Sequence, residues 1–296
     1  MNALTRAGGL LFLLSAITTQ AAAIDAVSDR IARSGVVAIG YRDSSPPFSY
    51  LDQDRRPIGY SIEICHRIVD AMRQSFKRPL EVRYVPVTSA TRMEAVIRGE
   101  VDLECGTTTS TAERRQKVAF TVPTYIATTA LLVRSGSGIG SIGDLGGKTV
   151  VTTRGTTAEK IFRDANERRS LRASLVEAKD HAESFSVLQA GKADAFIMDD
   201  VLLYSLRAAS GTPERFEVTR DKLNIEPLAI MFSKEDPALK QIIDREVSRL
   251  VVEGEIQKIY RRWFESPIPP KNVNLSLPMS YLLRDSFKAP TDWLPN

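Results

Sequence analysis

An α/β fold in two lobes is predicted by three features of the chain. β-Favouring runs alternate with amphipathic helical stretches over short connections, the pattern of mostly parallel sheets covered by helices. A small unit recurs, a helix stopped by glycine and then two residues and an aspartate leading into a strand, at Gly99 to Asp102 and again at Gly191 to Asp194. Finally, 296 residues are more than one hydrophobic core holds, even with the first 23 set aside.

Those first 23 residues have a basic start at Arg6, an apolar core from Leu10 to Ile17 and a small-residue exit at Ala21-Ala22-Ala23. This is the order of a secretory signal peptide, with cleavage expected after Ala23. The apolar core falls short of the roughly 20 residues that span a bilayer. No later segment comes closer, so the mature chain is expected to insert in no membrane. A net charge of +4 and a pI near 9.0 are spread along the chain, which gives nucleic-acid binding little support but suits anionic small molecules. Cys65 and Cys105 are the only cysteines. In an oxidising compartment one disulfide is expected, with two separate buried thiols as the alternative. With His66 and His181 as the only histidines, no spacing resembles a metal site, and no cofactor is expected.

In chain order, a short helix ends at Gly35, and the strand Val36 to Ile39 delivers Tyr41-Arg42-Asp43 to a loop. A helix opens at Gly59-Tyr60-Ser61, and Ile62, Cys65, Ile68, Val69 and Met72 recur at helical spacing, so that face is buried. A strand over Leu80 to Val87 precedes Thr88-Ser89 and a helix stopped by Gly99. The strand Val101 to Glu104 runs into the threonine-rich stretch Glu104 to Arg114, read as a loop and a helix start near Thr111. Ser110 and Glu113 there have capping-box spacing. An apolar strand from Thr128 to Arg134 is followed by a glycine-rich loop. Gly138, Gly140 and Gly143 meet the dinucleotide-binding pattern, but no long helix follows and the match is rejected. Strands at Thr149 to Thr153, Ser174 to Glu177 and Ala193 to Met198 then alternate with helices started by Thr156/Glu159 and Asp180/Glu183. Ile225 to Phe232 is a strand suited to a second crossing between lobes. Pro237 to Tyr260 reads as one long amphipathic helix, and residues 271–296 as a surface tail.

Ligand loops in such sheets lie at the C-terminal ends of the strands. Polar residues expected there are Arg42, Ser89, Arg92, Thr107, Thr109, Arg114, Thr153, Thr156, His181 and Asp199, drawn from both lobes. Three arginines, a histidine, hydroxyls and one aspartate suit a zwitterion carrying a second carboxylate. Each has an ordinary alternative: Ser89 and Thr156 as helix caps, Asp199 as the cap of the next helix, the arginines as solvated surface groups. His181, in the first turn of a helix, has no dipole reason to be there.

Eight ordered stretches carry a resemblance across nearly the whole mature chain. They are Arg42 to Ser45 before Pro47-Phe48-Ser49-Tyr50, Gly59-Tyr60-Ser61, Thr88-Ser89 with Arg92, Glu104 to Arg114, Gly155-Thr156-Thr157, Ala178 to His181, Met198-Asp199-Asp200, and Trp263-Phe264 to Lys271-Asn272. Together they resemble the periplasmic glutamate/aspartate-binding proteins of polar amino acid ABC uptake systems. The resemblance implies a type II periplasmic-binding-protein clamshell, with lobe 1 at 24–129 and 229–296 and lobe 2 at 130–228. It implies an α-carboxylate at Arg114, Thr107 and Thr109, an ammonium at Asp199, and a distal carboxylate at Arg42, Ser89, Arg92 and His181, with Thr153 and Thr156 closing from lobe 2. Thr107 stands where serine is expected, keeping the hydroxyl, and Arg154 stands where a small residue is usual, adding a cation beside the cleft. Cys65 matches a cysteine many members carry on their first helix, which implies a bridge to Cys105.

The function expected is therefore a non-enzymatic carrier for L-glutamate or L-aspartate, monomeric and periplasmic, that delivers its ligand to a membrane permease. The alternatives are a dehydratase-like periplasmic enzyme, with Glu104 or Asp199 as its only obvious acid or base, and a ligand sensor feeding a receptor.

Overall fold

In a computed structural model, which describes residues 26–291, the β-favouring runs form one continuous sheet. The expected signal peptide lies outside the described residues. The main strands are β1 (Val36–Tyr41), β2 (Glu81–Pro86), β3 (Leu103–Thr109), β4 (Tyr125–Arg134), β5 (Thr149–Thr153), β6 (Ser174–Ala178), β7 (Ala195–Asp199) and β8 (Ile225–Phe232). One half of the sheet has the order β2-β1-β3-β8 and the other β6-β5-β7-β4. In each half the first strand lies parallel to the second and third, and the last strand is antiparallel to its neighbour. Within the sheet the halves are joined through β4 and β8, whose residues Tyr125 to Thr128 pair with Ile225 to Leu228. Helices lie against both halves, which makes the fold a two-lobed α/β architecture.

The repeated Gly-x-x-Asp unit has the same physical task in each half. Gly99 and Gly191 end their helices at φ 69° and 71°, the left-handed region where only glycine is unstrained. Asp102 Oδ2 accepts from the Ala38 amide at 2.8 Å, and Asp194 Oδ2 from the Thr149 amide at 2.9 Å. Asp102 thus ties the entry of β3 to the start of β1, and Asp194 the entry of β7 to the start of β5. Arg30 pairs with Asp102 and Arg134 with Asp194.

The helix Tyr60–Phe76 buries Ile62, Cys65, Ile68, Val69 and Met72, as their spacing requires, and a Cys65–Cys105 disulfide fastens it to β3. Phe48, Tyr60, Tyr125, Tyr260 and Phe264 pack edge-to-face and stacked beneath the start of β4, which holds one crossing strand rigidly.

Three expectations are corrected. The threonine stretch is strand through Thr109, and only Ala112–Arg115 is helical, capped by Thr111 rather than Ser110. The reason is β8: its residues Leu228 and Ala229 pair with Thr109 and Thr108, and the Ser110 amide donates to the Pro227 carbonyl at 2.8 Å, drawing the chain out straight. The long C-terminal helix is two, Pro237–Val252 and Glu255–Phe264, because Gly254 turns left-handed at φ 72°. The tail is partly structured, since Tyr281–Ser286 is a helix that buries Leu283. The glycine-rich loop leads into a single tight turn, Ile142–Leu145, rather than a long helix. Among the described residues no helix is long and apolar enough to cross a membrane.

Candidate functional site

The predicted residues converge where the C-terminal ends of the strands in the two halves face each other. Arg42 follows β1, Ser89 follows β2, and Thr107 and Thr109 end β3. Thr153 ends β5, His181 follows β6, and Asp199 ends β7. Arg42 Nη2 donates to Ser89 Oγ at 2.6 Å, so Ser89 is no helix cap but a fixed partner for a guanidinium. Arg92 is buried and reaches the Thr107 carbonyl at 3.4 Å. Arg114 does not point to solvent: Nη1 donates to the Thr109 carbonyl at 2.9 Å and Nη2 reaches the Gly155 carbonyl of the other half at 3.5 Å. Asp199 heads the helix Asp200–Ala208 without using its carboxylate as a cap.

Two predicted residues have committed hydroxyls. Thr156 caps the Glu159 amide and donates to the Thr153 carbonyl. Thr153 Oγ1 lies 2.8 Å from His181 Nδ1 and 2.8 Å from Ser184 Oγ. These support the site rather than offering it an idle hydroxyl. Arg154, expected to add a cation beside the cleft, is exposed and pairs with Glu177 at 3.2 Å.

Among the described residues, Arg42 Nη1, Arg92 Nε, Glu104 Oε1, His181 Nε2 and Asp199 Oδ1 are buried without a hydrogen-bond partner. Native interiors leave few polar groups so, because each is expensive to strip of water. Five belonging to one site, from both halves, mark a surface shaped for a polar molecule. Burial and the Arg92 cation push the Arg42 pKa down to about 9, and burial and Arg92 push that of Arg114 to about 10, so both stay cations at neutral pH. Burial, reinforced by Arg42 and Arg92, holds His181 neutral. Burial and then Glu226 and Asp200 raise the Asp199 carboxyl well above its ordinary value. A ligand ammonium would reverse that last shift by favouring the carboxylate.

Sequence reasoning missed Glu226 and Ser184. Glu226, fully buried on β8, accepts from Thr129 on β4, from Asn224, and from Thr157 at the start of a helix in the second half. Glu104 was noted only as a general acid or base. Its Oε2 accepts from Thr108 at 2.6 Å, and Gly106 leaves room for it, since a Cβ there would lie 2.2 Å from Oε1 and 3.0 Å from the Arg42 side chain. In one dimension, a buried carboxylate two residues from a glycine looks like any strand residue.

The halves touch at Gly155, at φ 77°, where a Cβ would lie 2.8 Å from Ala90 Cα and 3.0 Å from the Ser89 carbonyl oxygen. A cavity of about 290 Å³ opens at this rim, lined by Ser89, Ala90, Arg114 and Gly155 among others. Gly155→Val is expected to hold the halves apart and weaken ligand affinity at least about tenfold, the value of 1.4 kcal/mol. Calorimetry beside a thermal melt checks this, and wild-type affinity would show that the approach is dispensable.

A split sheet with polar groups converging between its halves defines a two-lobed ligand-binding protein. The chain belongs to the bacterial extracellular solute-binding proteins, family 3, whose model matches residues 37–266. It is 41% identical over 265 residues to the L-glutamate/L-aspartate-binding protein of Pseudomonas aeruginosa, covering 89% of this chain and 88% of the relative. It is 38% identical, with the same coverage, to the glutamate/aspartate import solute-binding protein of Salmonella typhimurium. Among solved structures, the solute receptor for L-cysteine of Neisseria gonorrhoeae superposes with a TM-score of 0.72 at 26% identity, covering 81% of this chain and 93% of that one. An ancestral amino acid-binding protein described as a precursor of cyclohexadienyl dehydratase superposes at 0.69 with 25% identity, covering 80% and 98%. The fold alone therefore excludes no enzyme.

Proposed function

We propose that this chain is the periplasmic solute-binding component of an ABC importer for acidic amino acids, L-glutamate or L-aspartate, acting as a monomer and doing no chemistry on its ligand. The observation that carries this reading is the set of buried, unpartnered polar atoms on Arg42, Arg92, His181 and Asp199. Arg114, with Thr107 and Thr109, receives the α-carboxylate, and Asp199 the ammonium. Arg42, Ser89, Arg92 and His181 receive the distal carboxylate, and Thr153 and Thr156 brace the site from the second lobe. Residues 24–129 and 229–296 form one lobe and 130–228 the other, closing about the β4/β8 pair. The relatives named for glutamate and aspartate support this ligand class. An ABC permease in the inner membrane is the partner, and residues 1–23 direct export to the periplasm.

Glutamine tests the distal subsite, because it replaces the distal carboxylate of glutamate by a neutral carboxamide of the same size. Each charge-assisted bond contributes roughly 1.5 to 3 kcal/mol, so glutamine is expected to bind at least about tenfold more weakly than glutamate or aspartate in calorimetry. Equal affinity for glutamine would sink the assignment. Turnover of any bound amino acid would instead favour an enzyme using Glu104 or Asp199.

A further inference from the structure

The hydroxyls behind His181 point to a function of their own. Ser184 is fully buried on the same helix as His181, and its Oγ lies 3.0 Å from the Asp180 carbonyl oxygen and 2.8 Å from Thr153 Oγ1. Thr153 Oγ1 in turn lies 2.8 Å from His181 Nδ1. His181 Nε2, at the far side of the ring, is buried without a partner, and the charges acting on the ring are those of Arg42 and Arg92. Thr153 sits on β5, and His181 and Ser184 on the helix His181–Gln189 that follows β6, all in one half, so the chain of contacts survives when the halves separate.

Two proton arrangements fit these distances. In the first, the Ser184 hydroxyl donates to the Asp180 carbonyl, the Thr153 hydroxyl donates to Ser184 Oγ, and His181 Nδ1–H donates to Thr153 Oγ1. All three donors are used, and Nε2 turns a lone pair toward the arginines. In the second, Ser184 donates to Thr153 and Thr153 donates to Nδ1. One internal bond is lost, and Nε2–H becomes a donor to the site. A hydroxyl both donates and accepts, so only two rotors need turn.

We propose that Ser184 and Thr153 form a reversible hydroxyl relay that lets His181 present a lone pair in the ligand-free protein and an N–H to a ligand carboxylate. Ser184 is thus a positioning residue that governs discrimination between a carboxylate and a carboxamide. This rests on the reading of the site as one that holds a distal carboxylate. The change of tautomer takes a proton from water at Nε2 and returns one from Nδ1, so the ring stays neutral and no net proton is taken up. Such an exchange requires both ring nitrogens to meet water, which the present arrangement denies them, so it belongs to a state in which the halves are apart and the ring has turned transiently off Thr153.

The test is ¹⁵N NMR of the full chain labelled at histidine, with His66→Gln used to assign the two rings. Wild-type His181 is expected to be the Nδ1–H tautomer alone and the Nε2–H tautomer with saturating L-glutamate. In Ser184→Ala, Thr153 can donate only to Nδ1, so Nε2–H is expected with and without ligand. The glutamate-to-glutamine affinity ratio should then widen roughly two- to tenfold, the worth of one hydrogen bond. A single tautomer in free and glutamate-bound wild type overturns the relay, as does free S184A that remains Nδ1–H. The wild-type comparison needs no substitution, so it decides even where S184A folds poorly. Failure of glutamate to bind would defeat the acidic-ligand reading instead, and the tautomer of free S184A against free wild type still decides the relay.

Discussion

Arg114→Met is expected to weaken L-glutamate binding by roughly 30- to 5,000-fold, the equivalent of about 2 to 5 kcal/mol for removing one partner of a buried charged contact. The guanidinium donates to the Thr109 carbonyl, which holds it beside the Thr107 and Thr109 hydroxyls, and reaches across to the Gly155 carbonyl. Methionine keeps the apolar stem and loses every donor, so a carboxylate there faces no counter-charge. Because the α-carboxylate is common to all amino acids, glutamate, aspartate and glutamine should lose affinity in parallel. Thermal stability should change little, since among the described residues the Arg114 side chain bonds two carbonyl oxygens, one of them at 3.5 Å. Isothermal calorimetry with the three ligands decides it. A loss confined to glutamate and aspartate would move Arg114 to the distal subsite, and an affinity within threefold of wild type would remove it from the site.

Reducing the Cys65–Cys105 bridge, or replacing both residues by serine, is expected to destabilise the folded state by about 4 kcal/mol, the chain-entropy value for a loop of this length. The bridge closes 40 residues and joins the helix Tyr60–Phe76 to β3, between Glu104 and Gly106 at the site. Urea unfolding with and without dithiothreitol measures it. A difference below about 1 kcal/mol would mean that the unfolded chain is already constrained in this region or that the folded bridge is strained. Ligand affinity should fall less than stability, because the Thr108 hydroxyl holds Glu104 by a hydrogen bond independent of sulfur.

Much of the fold was legible because it follows from short-range physics. Asp180 caps the Glu183 amide and Thr156 the Glu159 amide, each as its spacing predicts. Gly99 and Gly191 stop helices because the left-handed turn costs glycine less than any residue with a Cβ, and the alternation of strand and helix gave each half its parallel core. Where local signals competed, the sequence reading failed. Ser110 and Thr111 are both good caps, and the choice fell to Thr111 because β8, more than 100 residues away, pairs along the threonines and extends them. Arg154 and Arg114 look alike in the sequence, yet one finds Glu177 at the surface and the other faces the opposite half.

The sequence by itself determined the periodicities, the caps and the inventory of charges, and with them a two-lobed α/β protein suited to a small acidic zwitterion. Those are properties of residues within a few positions of one another. Only the tertiary structure decided which polar atoms end up buried without partners, that Thr153 and Ser184 stand behind His181, and that Glu226 links β4, β8 and the second half. Such pairings join residues from 28 to 97 positions apart, and distances of 2.8 to 3.2 Å across those separations arise only when the strands are in register.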